Sequence, residues 1–427
     1  MIIEFSIKNY KSFKEETKFS MVATEEERSS NRICELPYNF KVLPIASIYG
    51  GNASGKSNFV LALKALQTIV LNGVTPQIAD PFLLDDKYLK EPSTFDIKIL
   101  VKDTIYRYTV SVTQAEIVKE RLAIINPDDM EDELYIKKKR DISLGEKNLK
   151  GSKQLDILKL LIKSKIFTAK QTFLENTAAF NFEHFTPIWN WFLKLRIENS
   201  NTNFELPPVY YEDGTPENEG INEILQEIDI GISRIGSIEV PTNLPLELIK
   251  VLSSIPENQP TKLNPQDNLV FIRKGEKIIS KRSGFFHKKA DGKEVPFDRT
   301  RESDGSLKMV NILLPLFMKI LAPKSDRLLI FDEFDRSLHS ELTNALIERY
   351  LSRCSKDTRT QLIITTHDVQ LLNSNILRRD EVWFTERKPD GCSDMFSLCS
   401  FKDNEEDMRD YLQGKFGGIP NVMHFVA

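Results

Sequence analysis

Ile48-Tyr49-Gly50-Gly51-Asn52-Ala53-Ser54-Gly55-Lys56-Ser57 follows an apolar run and contains the pattern G-x-x-x-x-G-K-S. Its glycines let successive backbone N–H groups turn inward towards phosphate oxygens. A lysine at this place reaches the β- and γ-phosphates, and the serine hydroxyl ligates Mg²⁺. The next residues, Asn58 to Val70, are helix formers whose positive dipole end faces the same anion. The stretch therefore reads as strand, phosphate loop and helix of an NTP site. Its cofactor-binding residues are Gly50, Asn52, Ala53, Ser54, Gly55, Lys56, Ser57 and Asn58.

Three further stretches fit that site. Leu328-Leu329-Ile330-Phe331-Asp332-Glu333 reads as a buried strand ending in two acids, with Asp332 set to hold Mg²⁺ through water and Glu333 to polarise the attacking water. The following Phe334-Asp335-Arg336-Ser337 reads as a loop that carries Asp335 to a subunit boundary. Gln361-Leu362-Ile363-Ile364-Thr365-Thr366-His367 is a second apolar strand, whose terminal His367 is placed to sense the γ-phosphate. Arg301-Glu302-Ser303-Asp304-Gly305-Ser306 opens an apolar helix running from Met309 to Leu321, with Ser303 as N-cap and Gly305 allowing close backbone approach. Ser303 stands 29 residues before Asp332, and His367 stands 35 after it.

Phosphate loop, Ser-x-Gly signature, Asp-Glu strand, Asp loop and switch histidine together resemble the ABC-type ATPases of the SMC, RecF and OLD branch. More narrowly, the chain resembles bacterial AAA family ATPases of the abortive-infection or phage-defence group. That likeness rests on the opening Ile2-Ile3-Glu4-Phe5-Ser6-Ile7-Lys8-Asn9-Tyr10-Lys11-Ser12-Phe13 and on Glu302 to Ser306. Asp380 to Glu386 and Tyr411 to Pro420 extend it, so that it spans roughly 1–125 and 280–427. The resemblance implies that Lys11 and Ser12 contact the nucleotide, with Lys56, Glu333 and His367 as the catalytic set. It also implies a homodimer in which each ATP lies between the phosphate loop of one chain and the signature of the other. A glutamine linking Mg²⁺ to the γ-phosphate is expected too. Gln114 and Gln171 are the candidates, and spacing does not choose between them.

The expected fold is an α/β P-loop ATPase with a mainly parallel core sheet and a flanking antiparallel sheet. Period-2 patterning at Ile3, Phe5, Ile7, Phe19 and Met21, and again in Phe95 to Ile99 and Ile105 to Val110, supplies four antiparallel strands. Residues 126–279 read as a largely helical insertion between an N-terminal lobe, 1–125, and a C-terminal lobe, 280–427. Helical spacing is found in Ile157 to Ile162 and in Ile188 to Leu195, with Trp189, Trp191 and Phe192 expected in a core. Asn199 to Gly220 and the five prolines from Pro241 to Pro265 read as loops, with Tyr210 to Gly220 the most exposed. No heptad repeat is visible, so long coiled-coil arms are not expected.

The chain has 427 residues, 41% of them hydrophobic, enough for more than one structural unit. No apolar run approaches the roughly 20 residues of a membrane span, and the N-terminus alternates like a strand, so a cytoplasmic location without membrane partners is expected. The four cysteines form no Cys-x-x-Cys pair and read as structural thiols. A net charge of −4 argues against wholesale DNA affinity. The one dense basic patch, Lys137-Lys138-Lys139-Arg140, reads as a solvated hairpin or helix face, with DNA contact there as the minor reading. No Asp-x-Asp pair of an OLD-type nuclease is present, and little chain follows Pro420. The expectation is an ATPase switch governing a separate effector, a nuclease or toxin, in anti-phage defence. The alternative is a RecF-like or SMC-like ATPase acting on DNA. A GTPase is disfavoured, since Asn-Lys-x-Asp does not occur.

Overall fold

The computed structural model describes residues 1–149, 154–198, 212–228, 230–241, 244–264, 269–322, 325–373 and 376–401. They fall into two compact units. The first comprises 1–200, 323–335 and 343–427, and the second comprises 201–322 and 336–342. Tyr411 to Pro420, part of the family likeness, lies outside the described residues.

The first unit is built on two sheets. One has six strands in the order Arg196–Glu198, Leu328–Phe331, Gln361–Thr365, Ile45–Gly50, Val382–Arg387, Ser393–Ser397. The first five pair in parallel and the last is antiparallel. Ile45–Gly50 is buried at all six positions, as a central parallel strand covered on both faces requires. The other sheet has seven antiparallel strands and contains Ile2–Lys8, Thr17–Ser20, Ser93–Val101 and Thr104–Val112, the four read from period 2. It runs on through Ile117–Ile125, Glu131–Lys138 and Asp141–Leu144. This continuous sheet carries the first unit past the expected 125/126 boundary.

Helix Lys56–Asn72 lies at the centre of that unit, with Phe59, Val60, Leu63, Leu66 and Val70 all buried in its main core. Ala62, Leu63, Ala65 and Leu66 are strong helix formers. The helix stops at Gly73, whose φ of +73° a side chain would rarely adopt, and the Gly73 N–H donates to Ile69 at 3.0 Å. Phe19 meets Phe59 edge-on at 5.0 Å, tying the antiparallel sheet to this helix.

Residues 126–279 supply the helices Leu155–Lys163, Phe173–Ala179, Thr186–Lys194, Pro216–Glu227 and Leu246–Leu252, and strands besides. Trp191 and Phe192 are buried as expected, and Trp189 is half-buried against the same core. Two readings are corrected. The proposed exposed loop Tyr210 to Gly220 ends in a helix that starts at Pro216, because Thr215 caps it by accepting from the Asn218 N–H at 3.3 Å and Pro216 fits its first turn. The basic run is not a wholly solvated patch: Lys137 has no exposed surface and donates to the Gln171 carbonyl at 2.5 Å.

In the second unit, Arg234–Glu239, Lys277–Lys288 and Leu269–Lys274 pair in that order, with Glu294–Phe297 added beside Lys277–Lys288. Its signature helix begins with Asp304–Lys308, widens into a π turn at Met309–Leu313, and continues as Leu314–Leu321. Pro315 explains the widening, because it has no N–H to close an ordinary turn. Among the described residues no helix is long and apolar enough to cross a membrane.

Candidate functional site

Strand Ile45–Gly50 delivers the chain into the loop 51–55, and Lys56–Asn72 leaves it. Gly55 stands at φ +122°, and a Cβ there would come within 2.8 Å of the Ser393 Cβ, so the position excludes side chains on two counts. No side chain caps the N-terminus of Lys56–Asn72 at Gly55. The amides of its first turn are thus left to an incoming acceptor, which suits an anion.

A cleft of 520 Å³ opens over this helix end, lined by Gly51 to Asn58 together with Lys11, Ser12, Asp80 to Leu84, Glu333, His367, Arg387 and Gly391. Lys56 is 6% exposed, and its ammonium donates to the carbonyls of Gly50 at 2.7 Å and Gly51 at 3.2 Å. Burial lowers its pKa to about 8, against the opposing pull of Asp332, Glu333 and Asp335.

The two acids take different places. Asp332 is buried and accepts from the Ser57 hydroxyl at 3.1 Å and the Thr365 hydroxyl at 2.7 Å. Glu333, with φ at +53°, turns the chain so that its own N–H donates to Thr365 Oγ1 at 2.8 Å and its side chain lines the cleft. A non-glycine residue in the left-handed region carries strain, which a packed neighbourhood must hold. His367 also lines the cleft, and its backbone N–H donates to Asp335 Oδ2 at 3.2 Å. Burial and then Lys56 push the His367 pKa down, so the neutral ring is favoured.

Lys11 and Ser12 reach the same cleft, but both are engaged within the protein. Lys11 pairs with Asp80 at 2.8 Å, while Ser12 Oγ accepts from Asn58 Nδ2 at 2.7 Å and from Ser393 Oγ at 2.7 Å. Ser54 Oγ and Thr385 Oγ1, 2.6 Å apart, close the floor beneath the loop. Thr365, Thr385, Asp80, Ser393 and Arg387 were not singled out in the sequence. Thr365 alone carried a signal, as the hydroxyl residue at the end of the histidine strand.

Neither glutamine candidate reaches the cleft. Gln114 lies in the turn between Thr104–Val112 and Ile117–Ile125. Gln171 belongs to a segment packed on the far end of the phosphate-loop helix, where Thr172 Oγ1 donates to the Val70 carbonyl at 3.2 Å. The residue beside the Asp-Glu strand is instead Glu198, whose carbonyl accepts from the Asp332 N–H at 2.8 Å. Burial raises the Glu198 pKa, opposed by Arg196 and Lys64.

Ser303 and Gly305 are in the second unit. Ser303 is the expected N-cap, accepting from the Ser306 N–H at 3.1 Å. A Cβ on Gly305 would overlap the Ser337 carbonyl oxygen, and Lys308 Nζ donates to the Arg336 carbonyl at 2.9 Å. The signature turn is therefore locked to Arg336 and Ser337 within that unit.

The residues fit a Mg²⁺-nucleotide. An uncapped helix end and the Lys56 ammonium face one cleft, and the hydroxyl–carboxylate pair Ser57 and Asp332 is the sparse protein ligation that suits Mg²⁺. Among the described residues no cluster of three or more His, Cys, Asp or Glu side chains is gathered to hold a metal by itself.

The family model described as "AAA domain, putative AbiEii toxin, Type IV TA system" matches residues 45–373. The chain belongs to this AAA family. Three solved structures are similar to it. A Smc head bound to the C-winged helix domain of ScpA is 14% identical, covering 93% of this chain and 97% of that one, with a TM-score of 0.40. The SMC head domain from Thermotoga maritima is 12% identical, with coverages of 93% and 98% and a TM-score of 0.34. The recombination mediator protein RecF with ATP is 14% identical, with coverages of 92% and 97% and a TM-score of 0.33. No curated protein matches the chain.

Proposed function

We propose that this AAA family chain binds ATP with Mg²⁺ and hydrolyses it as a homodimeric switch that governs a separate effector, a nuclease or toxin, in anti-phage defence. The observation that carries the reading is the shared cleft of Lys56, Ser57, Glu333 and His367, with Asp332 held 3.1 Å behind Ser57. Lys56 and the helix end bind the phosphates. Ser57 and Asp332 hold Mg²⁺, which when bound neutralises phosphate charge. Glu333 takes the proton of the attacking water, and His367 contacts the γ-phosphate end.

One chain carries one phosphate loop and one Ser-x-Gly turn. Each ATP is then completed by Ser303, Gly305 and Asp335 of a second copy, so that two molecules close around two nucleotides and hydrolysis releases them. Residues 126–279 are assigned as the docking region for the effector.

The test is light scattering on the Glu333→Gln protein, which binds ATP without consuming it. An ATP-dependent rise from monomer to dimer is expected. A monomer at micromolar concentration, with or without ATP, overturns the dimer. DNA binding that needs ATP and weakens with salt would replace the effector reading with a DNA-maintenance one. Trimming the described part of 126–279 and losing no co-purifying partner would reject the docking assignment.

A further inference from the structure

The strand order separates the cleft into two ends. Leu328–Phe331 and Gln361–Thr365, which lead into Glu333 and His367, lie on one side of the phosphate-loop strand, and Val382–Arg387 lies on the other. Three strand spacings, about 14 Å, separate the Asp-Glu strand from the one that ends in Arg387. If hydrolysis occupies the first end, the nucleoside occupies the second.

That second end has an unusual wall. Leu83 and Leu84 are 66% and 64% exposed although they line the cleft. They sit on an anchored loop. Its Phe82 N–H donates to Asn9 Oδ1 at 3.0 Å, and Asn9 Nδ2 returns donations to the carbonyls of Tyr88 at 2.8 Å and Glu91 at 2.9 Å. Lys11 and Asp80 are joined twice, through their side chains at 2.8 Å and from the Lys11 N–H to the Asp80 carbonyl at 2.6 Å. Lys14 pairs with Asp85 at 3.0 Å. The leucines are thus presented to the cleft by a rigid ledge.

Facing the cleft with them is Arg387. The neighbouring cations are paired, Lys11 with Asp80, Lys14 with Asp85 and Lys388 with Asp394 at 2.7 Å. Arg387 is exposed and lines the cleft, and its guanidinium makes no hydrogen bond or ion pair with the described residues. Two polar side chains of the lining, Lys11 and Asp80, are engaged with each other.

We propose that the nucleobase rests against the surface formed by the Leu83–Leu84 ledge and the Arg387 guanidinium, by contact area and stacking, so that ATP and GTP are barely distinguished. The assignment rests on the nucleotide reading given above. A planar guanidinium stacks on any purine face, and apolar contact does not sense the exocyclic groups that separate adenine from guanine. Discrimination of bases elsewhere comes from buried hydrogen-bonding groups left unpaired by the wrong one, and this wall offers none among its described side chains.

The experiment is calorimetric titration of the full chain with ATP, GTP and inorganic tripolyphosphate, each with Mg²⁺, on the wild type, Arg387→Ala, Arg387→Lys and the Leu83→Ser/Leu84→Ser pair. Circular dichroism and a melting curve accompany each variant. The wild type is expected to bind ATP and GTP within about threefold of each other and both more tightly than tripolyphosphate. Arg387→Ala is expected to weaken both nucleotides about fivefold, and so to narrow their advantage over tripolyphosphate. Arg387→Lys should behave like the alanine variant, since it keeps the charge and loses the plane. A preference for ATP over GTP beyond about thirtyfold, rescue by lysine, or equal weakening of tripolyphosphate overturns the base surface and leaves the phosphate site standing. A wild type that binds neither nucleotide nor tripolyphosphate overturns the nucleotide reading itself, and the base surface with it.

Discussion

Lys56 gives the site a pH dependence that an ordinary lysine would not. Its pKa falls to about 8, with burial the largest cause, whereas the unperturbed value is 10.5. With a pKa near 8, the ammonium is about 90% charged at pH 7 and about 10% charged at pH 9. A triphosphate needs the charged form, so binding at pH 9 must recruit a proton. Affinity should then fall about tenfold between pH 7 and pH 9, and each binding event at pH 9 should take up about 0.9 proton. An unshifted lysine would stay flat across that range. Calorimetric titration with ATP in two buffers of different ionisation enthalpy measures both quantities. Lys56→Arg should bind more weakly with no slope, because guanidinium stays charged. The apo protein carries the opposite mark. The folded chain disfavours the charged lysine, so a penalty on folding is fully present below pH 8 and fades as pH rises towards 10.5, where the unfolded chain also loses its proton. Wild-type affinity that is level to pH 9.5 with no proton uptake would refute the reasoning.

Two further substitutions test other links. Thr365→Val removes the hydroxyl that bonds Asp332 and receives the Glu333 N–H, so kcat for ATP hydrolysis should fall about 10- to 100-fold while KM changes little; a loss confined to KM would contradict the positioning role. Glu120→Ala strips a fully buried carboxylate that accepts from Tyr108 and Tyr135 hydroxyls and from the N–H groups of Phe173 and Leu174. Urea denaturation followed by tryptophan emission should register a loss of about 3–5 kcal/mol, and a loss under about 1 kcal/mol would show that the network contributes little.

What was legible in the sequence had a short-range physical cause. The phosphate loop is written in glycines and a helix start, and Ser303 announces itself as an N-cap by residue type. The central strands are legible because burial on both faces demands continuous apolar residues, as at Ile45–Gly50 and Leu328–Phe331. Long-range partnership is what the sequence withheld. Lys137 sits in a basic run, yet its burial depends on a carbonyl 34 residues away. Asp80 occupies an unpatterned stretch, and its role comes from Lys11, which precedes it by 69 residues. Gln114 and Gln171 were chosen by residue type, but the position beside Asp332 belongs to Glu198, fixed by parallel pairing of Arg196–Glu198 with Leu328–Phe331.

The same pairing logic explains why the proposed chemistry and the proposed base recognition fall on separate sides in this fold. Strand Ile45–Gly50 lies between Gln361–Thr365 and Val382–Arg387, both parallel to it, so the loops at their carboxyl ends open into one cleft from opposite sides. The groups proposed to handle the proton and the phosphate come from the first side and are tied by Thr365, whereas Arg387 and the leucine ledge come from the second and share no described hydrogen bond with them. Because the two sets are joined mainly through the phosphate loop, substitutions at Arg387 should change nucleotide affinity without changing the single-turnover rate at saturation, while Thr365→Val should slow that rate for ATP and GTP alike and leave affinity nearly unchanged. Single-turnover hydrolysis at saturating nucleotide separates the cases: a slower chemical step in Arg387→Ala would mean that the two ends are coupled, and the division read from the strand order would fail.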